Sequence, residues 1–341
     1  MTESALTVAV TGPTGTFGAG LMPLLQREER VSRVVGIARR PFDPAGRGWT
    51  KLTYRRGDVR ELDALREAFL DADVVVHLAF LITGSGSPDT TRAINVGGTL
   101  NAFRAARDAG ARRFVYASSV AAYGFHPDNP VGMREDWPVR PSAQLFYARE
   151  KAELEQLLRN EAEQYPELAV YLLRPSIVLG PHAVGGKDLI PGWLAPAARR
   201  ALGQLARLPI PLPMPAPRMP LQFVHERDVG QALCRCVLGD GPPGAYNIAG
   251  DGVLTVADVA RELGGWPMPL PGAPIRAGAR ALAGLPFLPQ WARWLEAASH
   301  PAIMDTTRAK RDLGWRPDYT GLEALRDTLR VQPNPGTQTG G

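Results

Sequence analysis

This chain of 341 residues is poor in cysteine, in lysine and in unbroken apolar runs. Cysteine occurs twice, in Ala232-Leu233-Cys234-Arg235-Cys236-Val237. Two apart on a helix, such thiols point in different directions and do not bridge easily. Nor can they form a metal quartet, so they read as small buried residues and no metal is expected. Of the 39 basic residues only Lys51, Lys151, Lys187 and Lys310 are lysines. The net charge of +5 therefore rests on arginines scattered without a block, and no nucleic-acid groove is indicated. No apolar stretch has the length needed to cross a bilayer. The segment 277–295 comes nearest, but Arg280, Pro286, Pro289 and Arg293 interrupt it. The first apolar run starts by Leu6 with no charged-then-apolar leader, so a cytoplasmic location with no membrane partner is expected.

What is present alternates. Apolar, β-branched runs predict strands over 6–11, 31–38, 53–56, 74–79, 113–117, 169–173 and 246–248. Helical patterns fall between them, over about 19–29 and then 61–69, 90–109, 146–164 and 226–238. Such alternation predicts an α/β fold, a doubly wound parallel sheet with ligands at the carboxyl ends of its strands. Beyond Arg174 proline and glycine become dense, and 209–217 is almost a polyproline tract, which reads as a stiff connector or one wall of a pocket.

Two local patterns carry chemistry. The first strand runs into Gly12-Pro13-Thr14-Gly15-Thr16-Phe17-Gly18, just before a helix. Glycines there allow a tight turn and a close approach to a pyrophosphate, which the helix amides then face. In Tyr147-Ala148-Arg149-Glu150-Lys151 the phenol and the amine lie one helical turn apart on one face. A phenol titrates near 10, and a neighbouring ammonium group favours the phenolate, bringing proton transfer towards neutral pH.

Further motifs follow in order: Gly57-Asp58-Val59, His77-Leu78-Ala79, Asn95-Val96-Gly97-Gly98-Thr99, Ser118-Ser119-Val120-Ala121-Ala122-Tyr123-Gly124, Leu173-Arg174-Pro175, Phe223-Val224-His225-Glu226-Arg227-Asp228 and Tyr246-Asn247-Ile248. With the glycine turn and the Tyr147/Lys151 pair, this series resembles the extended short-chain dehydrogenases/reductases. That group includes NAD(P)-dependent sugar epimerases and dehydratases, and the resemblance spans Leu6 to about Leu329. It implies a Rossmann-type dinucleotide-binding domain over 1–174 and 223–250, and a smaller, mostly C-terminal substrate lobe over 175–222 and 251–330. The polar residues 331–341 read as a disordered tail.

The resemblance also implies roles. Ser119, Tyr147 and Lys151 would be catalytic: Ser119 orients the substrate oxygen, Tyr147 carries the proton, and Lys151 holds the nicotinamide ribose. The dinucleotide would lie along Gly12, Thr14, Gly15, Thr16, Phe17 and Gly18. Asp58 would meet the adenine edge beside Val59, unless Asp58 caps the next helix. Ala79 and Phe80 would line the route to the nicotinamide, Asn95 would pin backbone nearby, and Leu78, Ala117, Pro175 and Ile177 would complete the contacts. A homodimer through helices 90–109 and 146–164 is expected.

The cofactor can be argued from the end of the second strand. Where NAD-preferring members carry an acid, this chain reads Ala38-Arg39-Arg40. Two guanidinium groups there could pair with a 2′-phosphate, so NADP is expected, with NAD as the alternative. The substrate is less defined. No Asn follows Leu173-Arg174, and Leu221-Gln222 stands where nucleotide-sugar members carry an arginine. Arg218 could substitute from another position. With Trp193, Met214, Met219 and Trp266 in the substrate lobe, a small, less charged alcohol or ketone is favoured over a nucleotide sugar. His225 reads as a structural, hydrogen-bonded histidine. The expected function is thus an NAD(P)-dependent oxidoreductase. A nucleotide-sugar epimerase or dehydratase with retained NAD is the alternative, and a non-catalytic cofactor sensor the third.

Overall fold

Successive residues of β1 (Leu6–Thr11) feed opposite cores: Val8 and Val10 join one apolar cluster, Ala9 the other. The same alternation divides Val74 and Val76 from Val75 in β4 (Val74–His77), and Val115 from Phe114 and Tyr116 in β5 (Arg113–Ala117). A strand pleats with period two, so these all-apolar runs need cover on both faces. The computed structural model describes residues 5–82, 87–142, 145–183, 213–270 and 300–330. Trp193, the segment 277–295 and the tail 331–341 lie outside the described residues.

Around β1, β4 and β5 stand β2 (Val31–Ala38), β3 (Leu52–Arg56), β6 (Ala169–Pro175) and β7 (Gly244–Ile248). The seven strands pair in parallel in the order β7-β6-β5-β4-β1-β2-β3. This is the doubly wound sheet that the alternation predicted. Helices α1 (Thr16–Arg27) and α6 (Glu226–Leu238) pack together on one face. On the other lie α2 (Leu62–Ala68), α3 (Pro88–Arg92), α4 (Gly98–Asp108) and α5 (Phe146–Gln164).

Several boundaries differ from expectation. Helix α1 starts at Thr16, not near Ala19, so the last glycine of the turn is already helical. β4 stops at His77, and the Thr11 hydroxyl oxygen takes the next two amides. The single helix expected over 90–109 is α3 and α4 joined by a π-turn at Ala93–Gly97. π-turns recur at functional sites, and this one carries Asn95.

The described part of the proline tract is a strand. Pro213–Pro217 pairs in parallel with Trp266–Leu270, and in both strands proline occupies alternate positions. Proline lacks the amide hydrogen, so alternate placement removes donors from one edge and keeps them on the other. A second small sheet joins Ile177–Leu179 to Phe223–His225. No helix among the described residues is long and apolar enough to cross a membrane. Cys234 and Cys236 are free and buried on α6.

α1 and α6 cross without side chains between them. A Cβ on Gly230 would sit 2.3 Å from the Gly20 carbonyl carbon, and one on Gly20 would sit 2.2 Å from the Glu226 oxygen. Backbone cannot yield as a flexible side chain can. Gly230→Ala is therefore expected to destabilise the fold by ~1–3 kcal/mol, the usual cost of overpacking. Urea unfolding measures it, and an unchanged midpoint would contradict the crossing.

Candidate active site

Most of the residues picked from the sequence as ligand-facing collect where the parallel strands end. Gly12–Gly18 follow β1, Arg39 and Arg40 follow β2, Asp58 and Val59 follow β3, and Leu78–Phe80 follow β4. Ala117 closes β5, Pro175 closes β6, and Ile177 opens the next short strand.

The glycine turn is built for an anion. Gly12 has φ 67°, and a Cβ on Gly18 would lie 2.1 Å from the Pro13 oxygen. α1 starts from Gly15 with no side-chain cap and no acid in its first turn. The positive dipole end of this helix therefore fits a pyrophosphate. Thr16 gives its hydroxyl proton to the His182 carbonyl at 2.9 Å. The His182 amide and Nδ1 reach Glu226 Oε2 and Oε1 at 3.0 and 2.7 Å, at the start of α6.

At the end of β2, Ala38 leaves the usual acidic position empty of charge, and Arg39 and Arg40 are exposed. Neither forms a salt bridge among the described residues. Arg56, at the end of β3, faces Ala38 and donates from Nε to the Arg39 carbonyl at 3.1 Å. This third arginine was not singled out from sequence. Asp58 does not cap α2, whose N-cap is Glu61; it accepts instead from the Arg60 amide, Nε and guanidinium, at 2.8–3.1 Å. Those bonds hold its carboxyl below the ordinary range, against the opposing effect of burial. Val59 is buried against Gly98 in the core.

His77 shows what the His-Leu-Ala motif does. Thr99 donates to the Asn95 carbonyl at 2.6 Å, so its oxygen accepts from His77 Nε2 at 3.0 Å. His77 Nδ1 is then the acceptor for Thr11 at 2.9 Å, a tautomer assigned from the network. Thr11 in turn accepts from the Leu78 and Ala79 amides at 3.1 and 3.2 Å. Burial and then the Lys151 charge push His77 down to about 3, which keeps it neutral. Asn95 holds the next stretch: it accepts from the Leu81 amide at 2.8 Å and donates to the Leu81 carbonyl at 3.0 Å and to Glu150 at 2.7 Å.

Ser119, Tyr147 and Lys151 converge. Ser119 opens a single helical turn, Val120–Tyr123, and its oxygen accepts from the Ala121 amide at 3.1 Å. It is also hydrogen-bonded to Tyr147, which is half-buried at the start of α5. Lys151 is buried and donates to Tyr116 Oη at 3.1 Å and to the Ala117 carbonyl at 2.6 Å. Its Nζ lies 5.8 Å from the Tyr147 ring centre.

Burial dominates the electrostatics of both groups. Burial pushes the Tyr147 phenol up and only the Ser119 bond draws it back; the ammonium group is spent on Tyr116 and Ala117. Burial also pushes Lys151 down to about 7, against the pull of Glu155 and Glu150.

Beneath the site, motif residues form one buried network that sequence reasoning did not anticipate. Arg174 grips Glu155 through Nε and a terminal nitrogen at 2.8 and 2.5 Å, both side chains fully buried. Ser118 donates to Glu155 at 2.6 Å, and Arg174 reaches Tyr123 Oη at 2.5 Å and the Glu135 carbonyl at 3.1 Å. Tyr123 passes the chain to Asn247 at 2.8 Å. His225 is structural, stacked on Tyr319 and bonded to Asp327 at 3.0 Å. Gln222 is consumed by both backbone groups of Met304. Among the described residues no cluster of metal-ligating side chains occurs.

Residues 8–249 match the model of the NAD dependent epimerase/dehydratase family. The chain belongs to that family. It is thus an extended short-chain dehydrogenase/reductase, as its motifs indicated. Among relatives, a UDP-glucose 4-epimerase of Erwinia amylovora is 29% identical over 96% of this chain and 98% of its own. Sterol demethylase protein B of Methylococcus capsulatus is 33% identical over 52% of each chain. A dTDP-glucose 4,6-dehydratase of Bacillus anthracis, solved in complex with NAD, superposes with a TM-score of 0.69. That match is 16% identical and covers 95% of this chain and 96% of the dehydratase. It shares the fold.

Proposed function

We propose that this family member is an NAD(P)-dependent oxidoreductase in which Tyr147 exchanges a proton with the oxygen of a small hydroxyl or carbonyl substrate. The observation that carries this reading is the half-buried Tyr147 phenol bonded to Ser119, with the Lys151 amine buried beside it. When bound, the nicotinamide supplies the hydride chemistry. The glycine-turn amides would hold its pyrophosphate, and Lys151 its ribose. Ser119 would orient the substrate oxygen towards Tyr147, which would serve as the acid in carbonyl reduction.

Against a nucleotide sugar stand the absence of Asn from residues 174–181 and the engagement of Gln222 with Met304. In its favour stands the match to the Erwinia epimerase along nearly the whole of both chains. An epimerase with retained NAD is accordingly the second reading.

Arg39 and Arg40 beside Ala38, which form no salt bridge among the described residues, favour NADP. We expect NADP to bind at least about tenfold more tightly than NAD, a difference of ~1.4 kcal/mol. The double variant R39A/R40A should erase it. Titration calorimetry with both cofactors decides the point, and NAD binding as tightly as NADP would refute the preference. Adding UDP-glucose to a thermal-shift panel separates the two readings, since a ligand selective for the folded state raises its stability. A large shift there would put the epimerase first.

A further inference from the structure

We propose that Phe80 is a positioning residue of this site: the face of its ring holds the Lys151 amine while its edge sets the Tyr147 ring. The proposal rests on the reading of Tyr147 and Lys151 as the proton-transfer groups and adds a third partner to them. Lys151 Nζ is 3.6 Å from the Phe80 ring centre, closer than to the rings of Tyr116 (4.7 Å) or Tyr147 (5.8 Å). Phe80 meets Tyr147 edge-on, with centres 5.6 Å apart and planes at 89°. An ammonium group has three donors. Two meet oxygens of Tyr116 and Ala117, and the ring face covers a further side.

The ring is held where it is. On one side of Phe80, Thr11 takes the Leu78 and Ala79 amides; on the other, Asn95 clamps both backbone groups of Leu81. The same Asn95 amide nitrogen reaches Glu150, next to Lys151 on α5. One carboxamide therefore ties the loop carrying Phe80 to the helix carrying Lys151.

The other groups facing the amine are accounted for. From α5 come Glu150 and Glu155, already engaged by Asn95 and Arg174, and Tyr147. From β5 comes the Tyr116 phenol, which burial keeps protonated, and from β4 the neutral His77. The ring face thus supports the charged form of the desolvated amine beside the pull of Glu155 and Glu150, and such contacts are strongest where water is excluded.

Scarcity of lysine makes the test direct. Protein grown on ¹³C-labelled lysine carries four labelled side chains, and the signal lost in Lys151→Arg identifies Lys151. In cofactor-free protein, Phe80→Leu should lower the Lys151 titration midpoint by about one unit. Phe80→Tyr, which keeps the ring, should leave it in place. The pH profile of kcat should move with the midpoint. Phe80→Met gives the same reading if Phe80→Leu does not fold. A midpoint unchanged in folded Phe80→Leu or Phe80→Met overturns the proposal. The lysine titration needs no turnover, so it reports on Phe80 even if Tyr147→Phe proves active and the proton-transfer reading falls.

Discussion

Tyr147→Phe is expected to cut kcat by ~10²–10⁴-fold, the range that general acid–base groups supply, while cofactor affinity stays as in the wild type. The substitution removes one oxygen and little else. The ring remains to meet Phe80 edge-on, and Ser119 keeps its bond from the Ala121 amide. Lys151 keeps both oxygen partners, because neither belongs to Tyr147. A loss of turnover could not then be laid to collapse of the site. Steady-state kinetics with a cofactor-binding titration separate the two effects. Turnover near the wild-type rate would show that some other group carries the proton.

Arg174→Met should be the most destabilising of the substitutions considered, by ~3–5 kcal/mol, as expected when one partner of a buried ion pair is removed. Glu155 would stay behind as a fully buried carboxylate, with Ser118 and the partly exposed Arg159 as its partners. Tyr123 and the Glu135 carbonyl would each lose a donor. Combining Arg174→Met with Glu155→Leu should recover part of the loss, since the stranded charge goes too. Recovery should be incomplete, because Ser118 loses its Glu155 acceptor and the Glu135 carbonyl still lacks the Arg174 donor. Denaturant unfolding of the three variants tests both steps. If Arg174→Met unfolds at the wild-type midpoint, the buried pair does not hold this part of the fold.

The sheet was legible because its strands are short β-branched runs whose neighbours along the chain pair locally. The turn was legible because its glycines are forced by backbone proximity. Glu150 and Glu155 were not. On α5 they look like ordinary surface glutamates, and their burial follows from Asn95, 55 residues before one, and Arg174, 19 residues after the other. Spacing within a helix cannot announce such partners. The Tyr147/Lys151 spacing predicted correctly that the two side chains share a face. It could not show that strand β5 offers the amine a carbonyl and a phenol nearer than Tyr147. The prolines of 209–217 suggested a stiff connector or one wall of a pocket; of these, 213–217 form a strand. Their pairing with 266–270 depends on residues some fifty positions away that repeat the same alternation.

The hydroxyl of Thr16 has a reach beyond its own turn. It bonds the His182 carbonyl, His182 is gripped by Glu226, and the Glu226 backbone abuts Gly20, one turn along the helix that Thr16 begins. The contacts close into a ring. A molecule that displaces His182 must break the Thr16 bond or drag it along, and one settling against the turn meets the same constraint from the other end. Two such binding events would be thermodynamically linked, each altering the other's affinity by an equal factor.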